Sequence, residues 1–218
     1  ACTYPAGFTN SNWTPCSNDS SGNFVFNQWA TAELIKDITP YSFTGSSWSA
    51  LSKRTESQWP TDIDCFTEIP AFYYSISKSG TNISVRASNK TFSGACQYAF
   101  LGADGSTVRN NTHIGCFYYS GEGFSEGYSR PNSTPKVDMA MNVYWYGAGR
   151  RGSEYDCLPF QHYLILQILF LLMFKTRDSQ GKFSRGYVDS HSAVTPNELF
   201  TYNNDFGMAG KAGVDGHM

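Results

Sequence analysis

Charge is scarce in this chain of 218 residues: Lys, Arg, Asp and Glu make up 16% of it, and the formal net charge is −2. There is no block of like charges, and an isoelectric point near 6.1 leaves no electrostatic footprint for nucleic acid or an anionic membrane. Nucleic acid is therefore set aside as the main ligand. Cys-x-x-Cys pairs are missing, so zinc-ribbon and thioredoxin-type chemistry have no support. Gly-x-Ser-x-Gly, the phosphate-binding P-loop and His-Glu-x-x-His are missing as well. Nothing repeats at a period of roughly 20–50 residues, which disfavours solenoids and propellers. Long apolar runs are absent with one exception, residues 158–174.

That run predicts a helix. Ser153 and Asp156 resemble a capping box, Pro159 suits a first-turn position, and Lys175 and Arg177 sit where a helix C-terminus favours cations. A bilayer needs about 20 consecutive apolar residues, and Gln161, His162 and Gln167 interrupt this shorter stretch. The buried centre of a domain is the reading preferred over a membrane span.

Aromatic residues, by contrast, are plentiful: 16% of the chain, with 14 Tyr and 16 Phe. That composition does not suit disorder, and a chain of this length buries about 70% of its unfolded surface. The cysteines are Cys2, Cys16, Cys65, Cys96, Cys116 and Cys157. They fit up to three disulfides in an extracellular or virion-surface protein, with Cys2–Cys16 as the nearest local loop, or several buried thiols. Asn12, Asn18, Asn82, Asn89, Asn110 and Asn132 head Asn-x-Ser/Thr sequons. They would mark exposed loops if a eukaryotic cell made the protein, and only polar turns otherwise. The start at Ala1-Cys2 reads as a removed leader or an excised fragment, and the glycine-rich end at Met218 as a cut.

Along the chain, residues 1–58 read as an irregular N-terminal extension. It carries Trp13, Trp29 and Trp48, with a helical turn around 29–36 that Pro40 stops. Residues 59–218 read as one domain, cut short at its C-terminus. Within it, 69–76 predicts an aromatic strand, Ser79-Gly80-Thr81-Asn82 a hairpin turn and 83–87 the returning strand. Further short strands are expected at 96–102, 113–119 and 143–146, and long loops at 178–218.

Three landmarks stand in order. Glu68-Ile69-Pro70-Ala71-Phe72-Tyr73-Tyr74 comes first, then Asp178-Ser179-Gln180 after the apolar helix, then Phe206-Gly207-Met208-Ala209-Gly210. They are similar to the acidic-Ile-Pro-x-Phe-Tyr-Tyr strand, the Asn/Asp-Ser-Gln element and the glycine-rich segment of a family of tailed-bacteriophage virion proteins. That family carries a C-type-lectin-like domain related in fold to formylglycine-generating enzymes. The resemblance covers about residues 62–216. The Trp-Gly-Asn-type block that closes the family's domain is missing. The resemblance implies an α+β, C-type-lectin-like domain, loop-rich, with short antiparallel strands and one buried helix. It further implies a non-enzymatic virion component of the tail or capsid surface, virion-bound or extracellular. Expected partners are other virion proteins, a host-surface glycan or protein, and further copies of the chain. A secreted or viral glycoprotein ectodomain is the alternative, and an enzyme on the same fold a third.

No catalytic constellation is expected. His162 lies on the apolar helix and reads as a satisfied core histidine. Asp189, Ser190 and His191 are adjacent in sequence, whereas triads are assembled from distant segments. A formylglycine-type oxidase needs a cysteine pair late in the fold, and Cys157 is the last cysteine. No cofactor or metal is expected. Asp62, Asp64 and Glu68 form an acidic cluster and Asp189 and Asp205 lie in loops, the oxygen-rich setting that calcium takes, without the Glu-Pro-Asn or Trp-Asn-Asp pattern of sugar-binding calcium sites. For recognition, aromatics diluted by glycine at 118–128 and in the loops after Gln180 point to Tyr119, Phe124, Tyr128, Tyr187 and Tyr202 as binding anchors. Core packing is the competing reading of the same rings.

Overall fold

A computed structural model describes residues 2–4, 13–18, 24–52, 59–102, 104–117, 120, 126–130, 140–153 and 155–179. Among these, β1 (Cys2–Tyr4), β2 (Ser17–Asn18), β3 (Phe24–Val25), β4 (Thr39–Phe43) and β5 (Trp48–Ala50) come first in chain order. They are followed by β6 (Asp64–Pro70), β7 (Tyr73–Ser79), β8 (Asn82–Ser88), β9 (Asn111–Gly115), α1 (Met141–Gly149) and α2 (Phe160–Phe174). The fold class is α+β with antiparallel sheets, as expected. The chain divides into two compact units, one of Ala1–Ile38, Ile69–Thr112 and Phe160–Ser179, the other of Thr39–Glu68, His113–Pro159 and Gln180–Met218.

In the first unit the expected hairpin forms. β7 and β8 pair from Tyr73↔Ser88 to Ser79↔Asn82, and β1 pairs along the other edge of β8. Gly80 closes the turn at φ +60, a conformation open to a residue without Cβ. The predicted strand over 69–76 is broken: β6 ends at Pro70, and Ala71 N–H turns away to the carbonyl of Asn110 at 2.8 Å. Residues 96–102 do not extend either. Cys96 makes one bridge to Tyr74, and Tyr98–Phe100 is a 3-10 turn.

α2 packs against β8 and that 3-10 turn. Ile165, Ile168, Leu169, Leu172 and Met173 are buried at the i, i+3, i+4, i+7, i+8 spacing of one helix face. Phe72 and Phe100, edge-to-face at 5.3 Å, are buried with them in the same unit. Phe160 and Tyr163 stay exposed at the other side of the helix. At about 1.5 Å per residue, α2 falls well short of a hydrocarbon core of ~30 Å. No described helix is long and apolar enough to cross a membrane. The capping box does not form, because the helix begins at Phe160 and Asp156 Oδ1 instead accepts from the N–H of Cys157. Lys175 ends the helix at φ 51, with its N–H on the carbonyl of Leu171.

His162 is satisfied, as expected, but it is only partly buried. Its Nε2 lies 2.9 Å from the carbonyl of Ala99 and 3.0 Å from Thr112 Oγ1, so Nε2 carries the proton and Nδ1 is bare. Burial pushes its pKa below the ordinary 6.5, against the opposing pull of the Ala99 carbonyl. The folded chain therefore binds fewer protons here than the unfolded chain. This contribution to stability is complete above about pH 6.5 and is lost as pH falls through the folded value. Melting temperature should drop between about pH 7.5 and pH 5.5, and His162→Gln should flatten that drop.

Further expectations give way. Residues 39–50 are not irregular: β4 and β5 form an antiparallel hairpin, Tyr41↔Ala50 to Phe43↔Trp48. The helical turn near Trp29 is shorter than predicted, a 3-10 stretch over Asn27–Thr31. The strand expected at 143–146 is helix α1, whose only buried residues are Gly147 and Ala148. A short apolar run cannot distinguish the two states by period. As for the Cys2–Cys16 loop, the Cys16 thiol donates to the carbonyl of Phe26 at 3.6 Å instead.

Candidate functional site

The second unit contains a four-stranded sheet in the order β5-β4-β6-β9. β4 and β6 pair antiparallel as Pro40↔Thr67 and Ser42↔Cys65 on one face, and as Thr39↔Glu68, Tyr41↔Phe66 and Phe43↔Asp64 on the other. The first face is buried: Pro40, Ser42, Cys65 and Thr67 point into it. Cys65 and Cys116 cluster there with Trp59 and Phe117. Burial, with the neighbouring Asp64 carboxylate, pushes the Cys65 thiol up to about 12. A thiol held so far from ionisation is no nucleophile near neutral pH.

The second face holds the aromatic residues. Trp48 of β5 stacks on Phe43 at 4.2 Å and on His113 of β9 at 4.1 Å, both within about 25° of parallel. Tyr41 and Phe66 meet the same indole edge-on at 6.3 and 5.7 Å. Tyr155 borders Phe66 at 5.8 Å and Phe43 at 6.0 Å. Trp48 nevertheless keeps 43% of its surface exposed. It is an apolar ring held in place by stacking but left open to solvent. At one end, His113 Nε2 sits 3.2 Å from Glu68 Oε2. Burial lowers the His113 pKa while Glu68 opposes the shift, so the imidazole is neutral near pH 7.

The other end of the face is closed. Asp64, 1% exposed, is gripped by two guanidiniums. Arg130 Nε lies 3.2 Å from Oδ1, and Arg151 Nη2 bonds Oδ2 while its Nη1 reaches Glu126 Oε2 at 2.8 Å. The Ser129 N–H is the carboxylate's third donor, on Oδ1 at 3.1 Å. Ser129 also stitches the sheet, with its N–H and Oγ engaged at 64–65 and its Oγ accepting from the Phe117 N–H at 3.0 Å. A Cβ on Gly115 would stand 2.9 Å from Ser129 Oγ, which is why a glycine is needed at that position.

Of the expected anchors, Tyr128 lies in this closed end. Its ring carries the Arg130 guanidinium at 3.9 Å and the Arg151 guanidinium at 5.1 Å. Tyr119, Phe124, Tyr187 and Tyr202 fall outside the described residues, as do His191, Asp189 and Asp205. Among the described residues, Asp62, Asp64 and Glu68 do not assemble as a cation cage, because Asp64 is engaged by arginines. No group of three His, Cys, Asp or Glu among the described residues could hold a metal ion. Trp48 was visible in the sequence only as an isolated tryptophan. The signal that could have found it is Tyr41-x-Phe43, an alternation paired across four polar residues with Trp48-x-Ala50. Comparison with protein-family models, curated proteins and solved structures finds no match.

Proposed function

We propose that the chain is a non-enzymatic virion component of a tailed bacteriophage, a tail or capsid-surface protein. Through the open aromatic face it binds a virion neighbour or the host surface. The observation that carries a binding role is Trp48, immobilised between neighbours yet 43% exposed on a sheet face. A ring whose rotamer is already fixed loses little entropy on contact, and such aromatics dominate binding energy. The virion assignment rests on the three landmark segments, as does the proposal that the domain is C-type-lectin-like. The first landmark spans the end of β6 and the start of β7, with Ile69, Phe72 and Tyr74 buried.

Purified chain should compete with particle adsorption or assembly, and Trp48→Ala should weaken that competition about tenfold or more, as an aromatic hot spot does. Its melting point should fall by only a few degrees. Equal competition by both proteins would sink the binding role of this face, and the absence of the chain from purified particles would sink the virion reading.

The exposure of Asn82, Asn89 and Asn110 favours a second reading, a secreted or viral glycoprotein ectodomain. Glycan-sized mass increments at these sites in the natural protein would replace the first reading with the second.

A further inference from the structure

Tyr74 is 3% exposed, and its hydroxyl has no hydrogen-bond partner among the described residues. A buried polar atom in that state is rare, and leaving it unpaired costs stability. The polar groups that bear on it are the Cys96 sulfur and the Ala99 amide, neither in hydrogen-bonding geometry. Burial first, and then Cys96, hold the Tyr74 pKa well above its ordinary value. The phenol therefore keeps its proton near neutral pH and stands ready to donate it to an acceptor.

The backbone brings the two side chains together. Tyr74 and Cys96 exchange both hydrogen bonds of an antiparallel bridge, Tyr74 N–H to the Cys96 carbonyl at 3.0 Å and Cys96 N–H to the Tyr74 carbonyl at 2.8 Å. Residues opposed in this way project to the same side of the ladder, with Cα atoms about 5.5 Å apart. Their access to solvent differs. Tyr74 is sealed, whereas Cys96 is half-buried in a stretch whose Ser93, Gly94 and Tyr98 are exposed. We propose that Cys96 is a site of oxidation by hydrogen peroxide, and that the oxygen added to its sulfur becomes the acceptor for the Tyr74 hydroxyl.

In this step the Cys96 thiolate attacks one peroxide oxygen, so that an S–O bond forms as the O–O bond breaks. The departing hydroxide takes up the proton shed by the thiol and leaves as water. Sulfur is oxidised by two electrons to sulfenic acid, and one peroxide is reduced. Tyr74 donates first to the thiolate and then to the new oxygen. The oxidant is little larger than water, so partial exposure of the sulfur suffices.

The other cysteines whose side chains are described each lack one requirement. Cys16, Cys65 and Cys116 are 1% exposed or less. Cys157 is half-buried like Cys96, but burial and the Asp156 carboxylate raise its pKa. Its neighbour repels a thiolate, where Tyr74 would donate to one.

The test exposes intact, reduced protein to hydrogen peroxide with dimedone, which traps sulfenic acids, and maps the adducts by peptide mass spectrometry. The adduct should form on Cys96 ahead of Cys157, and Tyr74→Phe should slow its formation about tenfold, the effect of one hydrogen bond to a charged group. That variant keeps the ring and removes an unpaired hydroxyl, so its melting temperature should hold or rise. Equal rates in wild type and Tyr74→Phe, or labelling of Cys157 first, would overturn the proposal. A melting temperature several degrees lower in Tyr74→Phe would overturn it too, by showing that the hydroxyl is already engaged, for instance by a buried water. So would a Cys96 that is labelled in urea but never in the folded protein.

Discussion

Asp64→Ala should cost about 3–5 kcal/mol of folding stability, the loss expected when one partner of a buried ion pair is removed. Asp64 is 1% exposed, and its two oxygens receive Arg130, Arg151 and the Ser129 N–H. Truncation leaves two guanidiniums over Tyr128 without their buried counter-charge, Arg151 keeping only the exposed Glu126, and a buried amide without an acceptor. Asp64→Asn keeps one acceptor and removes the charge, so it should fall between wild type and alanine. Urea unfolding monitored by tryptophan fluorescence gives both values. Glu126→Gln, which alters an exposed partner of the same Arg151, should leave the midpoint nearly unchanged. A small Asp64→Ala effect would mean that the arginines swing out to water and that the buried carboxylate is not what holds this end of the sheet.

The second large effect belongs to α2. Leu169 is 1% exposed on the helix face turned toward β8, and Leu→Ala at such a site costs about 2–5 kcal/mol in transfer and cavity terms. Tyr163→Ser, on the exposed side, should cost less than about 0.5 kcal/mol. The contrast tests the orientation of a helix whose sequence is apolar on almost every side. Equal costs at Leu169 and Tyr163 would show that the helix does not present one face to the sheet. Thermal unfolding in plain buffer separates the two outcomes.

How legible these features were in the sequence depends on whether the information was local. The hairpin β7–β8 could be read because Gly80 and the alternation of Ile83, Val85 and Ala87 lie within a few residues of each other. α2 could be read because its length and apolar run are local, although its buried face could not be: Leu164, Leu166 and Leu171 look the same as Leu169 until β8 is in place. β4 was missed because its pattern is inverted. Its inward residues are Pro40 and Ser42, while its outward ones are Tyr41 and Phe43, so polarity pointed away from burial. α1 was misread because Val143-Tyr144-Trp145-Tyr146 has the composition of a strand and too few residues to show a period. The Asp64 network was illegible for a different reason. Nothing near residue 64 announces that arginines 66 and 87 positions later will cover it.

That separation sets an order of events during synthesis. At about 5–20 residues per second, a ribosome that has just made Asp64 needs roughly 4–17 s more to reach Arg151. Until then the strands around β6 can pair, but the carboxylate at the end of their outward face must stay hydrated. A nascent chain stopped short of residue 151 leaves this carboxylate with Arg130 as its one guanidinium. The clamp is thus a late step of biogenesis. It dries the Asp64 end of the sheet only after helix α1 has been made, and it makes the second unit's completion, rather than its initiation, the step that depends on distant sequence.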